Sequence, residues 1–368
     1  MIRTEKTKGN REKVELVIDG QVVSRLSIVN LEMRLRSSMV RIGGIGGVET
    51  LYEHRMKGYA RRLLAEAVGI MREREYDMSI LFGIPNFYHR FGFVSTLCEY
   101  KMELPVRFVE KAPSFYRVEP YSLEYKEEVL KLYHKDNATR NGSIVRNPSI
   151  WDGFTLGSSW GTQVNAVVML LENKFMGYAV YDKSEERVNV TELASYDKNG
   201  SSTLLNYFAS KAIEYRVENI NVFIPPDHPF VNFCRNYGFN FSMFFPNNRA
   251  GMGRIINLET TFRKLLSYLD SKVNEIGIKD KIIISFSTEI GVVNLKIESA
   301  GASIAERDII PDYTLNLSQT QLTKLIMGYA SIGDILYEAK VELPAEIVSI
   351  IDKLFPIGYQ YMYLGDRF

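Results

Sequence analysis

Cysteine is nearly absent from this 368-residue chain: only Cys98 and Cys234 occur. Two cysteines are too few for a disulfide framework, and both are expected to be reduced thiols. Histidine is scarce as well, and its four scattered residues have no cysteine partners at ligand spacing, so no structural metal is expected. No run approaches the roughly 18 apolar residues that cross a bilayer, and the opening MIRTEKTKGNREK is too polar for a secretory signal. These absences lead to the expectation of a cytoplasmic protein without a membrane partner. An excess of one charge sign is also missing. Lys plus Arg at 45 against Asp plus Glu at 44 leaves a formal charge of +1, which removes the broad electrostatic case for nucleic acid. What remains, 46% apolar and 24% charged residues, is ordinary globular composition with length for two or three cores.

The most informative stretch runs from Val48 to Phe93. Met39 to Thr50 is rich in glycine and small apolar residues and reads as a central strand that delivers Val48-Glu49-Thr50 to a basic loop, Arg55-Met56-Lys57-Gly58-Tyr59-Ala60. A helix follows. Ala60, Leu63, Leu64, Ala67, Val68 and Met71 recur on one face, while Arg61, Arg62, Glu66 and Arg72 fall on the other. A loop entering a helix leaves N–H groups unpaired along the axis, where the dipole favours anions. Gly58 lets the backbone approach a phosphate oxygen, Ala60 keeps the next turn small, and Arg55 and Lys57 add charge. The glycines at 43, 44, 46 and 47 do not make a dinucleotide-fold fingerprint, because no third glycine follows at the required spacing and no helix starts there.

Arg55, Gly58 and Ala60 match the acetyl-CoA loop of the GNAT acetyltransferase superfamily, which reads Arg or Gln, two residues, Gly, one residue, then Gly or Ala. More narrowly, GGIGGVETLYEHRMKGYARRLL with ILFGIPNFYHRFGF resembles the enhanced intracellular survival (Eis) family of N-acetyltransferases. The resemblance implies an α+β chain of two tandem GNAT-like units, the second degenerate, followed by a sterol-carrier-like domain. The corresponding ranges are 1–113, 114–250 and 251–368. Ahead of the hairpin VELVIDGQVVSRLSIV a GNAT unit has a strand and two helices that wall the acceptor site. Here there is no room for them, so either the chain starts late or another segment supplies that wall.

The middle unit carries an echo: Phe233-Cys234-Arg235-Asn236-Tyr237-Gly238-Phe239 aligns with Phe87-Tyr88-His89-Arg90-Phe91-Gly92-Phe93. Its loop chemistry is different. Tyr196-Asp197-Lys198-Asn199-Gly200 puts an acid where diphosphate would sit, so this copy is expected to bind no CoA. The last unit opens with the helix LETTFRKLLSYLDSKV and continues through the strands KIIISFS and GVVNLKIES.

Acetyl transfer to an amine needs a polarised thioester carbonyl, a proton for the leaving thiolate and a base for the ammonium. By the resemblance, Tyr88 is the general acid and the C-terminal carboxylate, on Phe368, the base. A phenol stays protonated at neutral pH and can donate to sulfur. Carbonyl polarisation is expected from a backbone N–H near Leu51. Glu49 and His54 are rival bases or acceptor contacts. Val48, Thr50, Arg55, Met56, Lys57, Gly58, Tyr59 and Ala60 are the expected acetyl-CoA contacts. The chain is thus expected to be an N-acetyltransferase for a small-molecule amine or a lysine-type acceptor, and a homo-oligomer, hexameric by the resemblance. The alternative is a non-catalytic protein that binds acyl-CoA or an apolar ligand.

Overall fold

The computed structural model describes residues 1–7 and 9–368. In the first part of the chain, β1 (Ile2–Lys6), β2 (Arg11–Ile18), β3 (Gln21–Leu35) and β4 (Ser38–Thr50) form an antiparallel meander. The β2–β3 turn is Asp19-Gly20 with φ of +50° and +80°, the doubly left-handed geometry that matches strand twist in a two-residue hairpin. β1 pairs antiparallel with β2 from Ile2↔Leu16 to Lys6↔Glu12. This corrects the expectation that no strand precedes the hairpin. Helix α1 (Tyr59–Glu73) then crosses over to β5 (Met78–Gly83), which runs parallel to β4. Leu63, Leu64, Ala67, Val68, Ile70 and Met71 are the buried stripe of α1, as the apolar periodicity requires.

The short strand β6 (Val94–Ser95) and β7 (Glu99–Pro105) separate at this point. β7, followed by the single-turn helix α2 (Val106–Val109), leaves for a second sheet built from β8 (Arg117–Pro120), β9 (Val164–Leu171), β10 (Lys174–Asp182), β11 (Val188–Ser195), β12 (Asn219–Val222) and β13 (Asn240–Phe244). The order there is β13-β7-β12-β11-β10-β9-β8. Helices α3 (Lys126–Asp136), α4 (Lys198–Glu214) and α5 (Pro229–Cys234) belong to this unit. In exchange, β14 (Ala250–Ile255) returns to the first sheet between β5 and β6, giving the order β1-β2-β3-β4-β5-β14-β6. Sheet membership therefore crosses the expected boundaries at 113 and 250. The reason lies in Gly251 and Gly253: a Cβ at either would strike Leu97 or Thr96, so only glycines let β14 slide beneath the β6 segment.

The last unit has a four-stranded sheet, β15 (Ile282–Thr288), β16 (Gly291–Glu298), β17 (Gly301–Ile304) and β18 (Tyr313–Asn316), in the order β17-β16-β15-β18. Four helices accompany it: α6 (Leu258–Ile276), α7 (Gln319–Met327), α8 (Ile332–Ala339) and α9 (Ala345–Leu354). Phe262, Phe286 and Phe355 meet in its interior with ring centroids 5.1 to 6.3 Å apart. This core is continuous with Val40 and Ile42 of β4 and Met78 and Ile80 of β5, so the first sheet is covered by α1 on one face and by the third unit on the other. Burial on both faces is why β4 and β5 lack polar alternation. Cys98 and Cys234 are free and buried. Among the described residues no helix is long and apolar enough to cross a membrane.

Candidate active site

β4 and β5 pair from Ile42↔Met78 to Ile45↔Leu81, and beyond that point the two strands part. On its other edge β4 changes register between Ser27↔Gly46 and Arg25↔Glu49, so Gly47 and Val48 together oppose one residue of β3. That is a bulge, with Gly47 at φ +60°. The peptide groups of Gly47 and Val48 that face β5 consequently lie past the end of the parallel ladder. Leu51, by contrast, donates its N–H to the carbonyl of Val23 at 3.0 Å. The expectation of a free N–H near Leu51 is corrected: the antiparallel edge with β3 continues past Thr50, and the opening occurs at the bulge instead.

A cavity of about 600 Å³ sits at this split end, lined by Val48, Glu49, Thr50, the loop before α1, and Tyr88. Gly58 is the N-cap of α1, at φ +79°, and no side chain caps the helix. The first intrahelical bond is Arg62 N–H to Gly58 carbonyl at 3.1 Å, which leaves the N–H groups of Tyr59, Ala60 and Arg61 pointing out of the helix end. Arg55 donates to the Thr50 carbonyl at 3.2 Å and lies over the Tyr52 ring. Of the expected contact residues, Val48, Thr50, Arg55, Met56, Gly58, Tyr59 and Ala60 line the cavity, whereas Lys57 is exposed and does not. Arg61, Ile84, Phe87, Arg90 and Phe91 line it as well and were not anticipated. Arg61 and Arg90 add positive charge to the cavity lining.

The middle unit treats the equivalent helix start differently. Asp197 caps α4 by accepting the Gly200 N–H at 2.8 Å and also accepts from the Tyr116 hydroxyl at 2.7 Å. Its own carboxylate thus fills the N–H cluster that α1 leaves open.

Tyr88 is buried, with its ring edge against Phe87 at 4.9 Å between centroids. Gly83 on β5 has no Cβ because one there would lie 3.0 Å or less from two Tyr88 ring carbons. Burial pushes the Tyr88 phenol above its ordinary pKa, so it keeps its proton. Phe368 occupies the other face of the sheet. A Cβ at Gly44 would strike its ring, and one at Gly46 would lie 3.0 Å from its carboxyl carbon, while Gly43 faces Met71 of α1. The ring stands edge-on to Phe82 at 6.0 Å. Tyr88 therefore approaches the split from the α1 side and the terminal carboxylate from the opposite side.

The rival bases are placed less centrally. Glu49 pairs with Arg25 at 2.6 Å, both side chains more than half exposed. His54 is half-buried near the Tyr59 ring at 6.0 Å, and its Nδ1 has no hydrogen-bond partner among the described residues.

Residues 3–95 match the family model described as acetyltransferase (GNAT) domain. The first unit is a GNAT acetyltransferase domain. Acetyl-CoA is the cosubstrate of such domains, and the uncapped helix end beside Arg55 and Arg61 suits its diphosphate. No curated protein matches the chain. Solved structures resemble it over nearly its whole length. A probable N-acyltransferase from Enterococcus faecalis V583 is 16% identical with a TM-score of 0.79, covering 98% of this chain and 90% of that one. A GCN5-related N-acetyltransferase from Kribbella flavida is 16% identical with a TM-score of 0.71, covering 97% and 87%. Eis1 from Mycobacterium abscessus is 14% identical with a TM-score of 0.64, covering 97% and 90%. At such identities the likeness is one of fold, and it extends to all three sheets of the GNAT-containing chain.

Proposed function

We propose that the chain is an acetyl-CoA-dependent N-acetyltransferase that transfers acetyl directly to a primary amine, with chemistry confined to the first unit. The observation that carries this reading is the juxtaposition of an uncapped, arginine-flanked helix end with a buried tyrosine at the split between β4 and β5. Acetyl-CoA supplies the acetyl group as a thioester. Tyr59, Ala60 and Arg61 offer backbone N–H groups to the diphosphate, and Arg55 adds charge. The Gly47–Val48 bulge offers N–H to the thioester carbonyl, the role expected near Leu51.

As the amine nitrogen bonds to the acetyl carbon and the carbon–sulfur bond breaks, Tyr88 gives its phenolic proton to the thiolate. The Phe368 carboxylate takes a proton from the amine, directly or through water. Approach of these two groups from opposite faces supports the division of labour, since the proton leaving the amine and the proton reaching sulfur are handled at different substituents of the reacting carbon. The acceptor class is a primary amine of small molecules or lysine side chains. The middle unit, its helix end filled by Asp197, is proposed to bind no CoA.

The test is a calorimetric titration of acetyl-CoA into the intact chain and into a variant carrying Arg55→Ala and Gly58→Asp together. Thiol release with a polyamine, spermidine, is followed in parallel. Saturable binding that disappears in the double variant is the expected result. No binding to the intact chain refutes the cofactor site, and binding without thiol release, with spermidine or with a lysine-containing peptide assayed beside it, leaves an acyl-CoA-binding protein as the correct reading.

A further inference from the structure

The last three residues of the chain are each held by a different part of the molecule. Asp366 enters the middle unit, where Arg146 donates to it from Nε at 2.8 Å and from a terminal nitrogen at 3.1 Å. Tyr133 of α3 donates to the same carboxylate at 3.0 Å. Arg367 makes two bonds to Glu99 of β7, at 3.0 and 2.9 Å, and covers the Phe82 ring at 4.6 Å. Phe368 then lies on Gly44 and Gly46 of the first unit.

The Asp366 anchor is buried on every side. Arg146, Glu192 and Asp366 expose 2%, 4% and 6% of their side chains. Arg146 also forks onto Glu192 of β11 at 2.7 and 2.6 Å, and Tyr178 of β10 donates to Glu192 at 2.6 Å. Arg34 of β3 reaches the cluster from the first unit, donating to His134 Nδ1 at 2.9 Å while His134 Nε2 donates to the Arg146 carbonyl at 3.0 Å. A buried ion network contributes little net stability, because desolvation offsets its attraction, but it tolerates one geometry only. It is suited to fixing position.

We infer that Asp366 and Arg367 are positioning residues that hold the Phe368 carboxylate against β4, so that the CoA-free middle unit serves the reaction by anchoring the end of the chain. This rests on the reading of the Phe368 carboxylate as the base.

Two variants of the full chain test it. Asp366→Asn leaves Arg146 paired with Glu192, so no buried charge is stranded, whereas replacing Arg146 would strand Glu192. Glu99→Gln acts at a partly exposed site and keeps the test open should the first variant fold poorly. One readout is release of phenylalanine from the native protein by carboxypeptidase A. The other is thiol release from acetyl-CoA with spermidine, in the natural chain and in a chain with two glycines added after Phe368.

Each variant is expected to speed phenylalanine release about tenfold or more and to lower kcat about tenfold, the factor set by one charge-assisted hydrogen bond. KM for acetyl-CoA stays unchanged, and in the extended chain neither variant lowers kcat further. Phenylalanine release and kcat at natural levels in both variants overturn the inference, as does a loss that repeats in full in the extended chain. Should extension alone leave kcat untouched, the base reading of Phe368 fails, and the inference falls with it through that separate arm.

Discussion

Replacing Gly44 by alanine puts a methyl group where the Phe368 ring now lies. Three ring atoms would fall within contact distance of the new Cβ, Cδ2 at 2.8 Å among them, against a normal carbon–carbon separation of about 3.5 to 4.0 Å. Something has to retreat by about 1 Å, and the ring at the chain end is the part free to do so. Phe368 is only partly buried, so its release costs less than the roughly 1.5 to 3 kcal/mol of a fully buried phenylalanine. With an unfolding entropy of about 2 cal/mol/K per residue, that lowers Tm by about 2 °C. Turnover responds far more strongly, since a displacement of about 1 Å in a reacting group is worth about a hundredfold. Gly44→Ala is therefore expected to bind acetyl-CoA normally by calorimetry, to melt within a few degrees of the natural protein, and to release thiol about a hundredfold more slowly with spermidine. Natural turnover in a folded Gly44→Ala protein would refute the reasoning, because the carboxylate would have moved without consequence.

Tyr88→Phe is expected to lower kcat by about 10²-fold without changing acetyl-CoA affinity. In the natural protein the raised phenol pKa keeps the acid protonated through neutral pH, so the kcat profile should show no tyrosine-dependent decline until above pH 10. Asp197→Ala removes the α4 cap and should cost about 1 kcal/mol in urea unfolding while creating no second acetyl-CoA site by calorimetry. Burial pushes the Asp136 carboxyl up to about 6. Its folded pKa thus exceeds the unfolded value, and the stability it contributes is full below about pH 4 and is lost as pH rises through 6. Asp136→Asn should accordingly gain stability over the natural protein between pH 4 and 7 in urea titrations, and an unchanged difference across that range would remove the effect.

Much of the first unit was legible because its signals are local. The helix stripe from Leu63 to Met71 follows from periodicity, and the hairpin from Asp19-Gly20. The basic loop leading into α1 is six consecutive residues, Arg55 to Ala60. Arg61 could have been found by extending the loop into the first turn of α1, where a side chain still borders the N-terminus. Arg90, Ile84 and Phe87 could not, since only the return of the β5 end and the aromatic turn brings them to the same cavity. The short strand β1 is not legible in the sequence because its charged residues, Arg3, Glu5 and Lys6, suit an exposed edge as well as a coil.

The glycine run at 43–47 shows the division between sequence and structure. In the sequence it excluded a dinucleotide fold and marked a crowded strand, but it did not say what crowds it. In the structure Gly43 gives way to Met71, Gly44 and Gly46 give way to Phe368, and Gly47 bends the chain into the bulge. By itself the sequence determined the basic loop before α1, the helix behind it and the acid at 197 that caps α4, because each is set by neighbours a few residues apart. The exchange of β7 and β14 between sheets, the opening at Gly47–Val48 rather than Leu51, and the seating of Asp366, Arg367 and Phe368 were decided by tertiary packing. The return of β14 and the seating of the last three residues join positions some 150 to 320 apart, β7 meets β12 and β13 across more than 100 positions, and no periodicity or spacing encodes a partner at that distance.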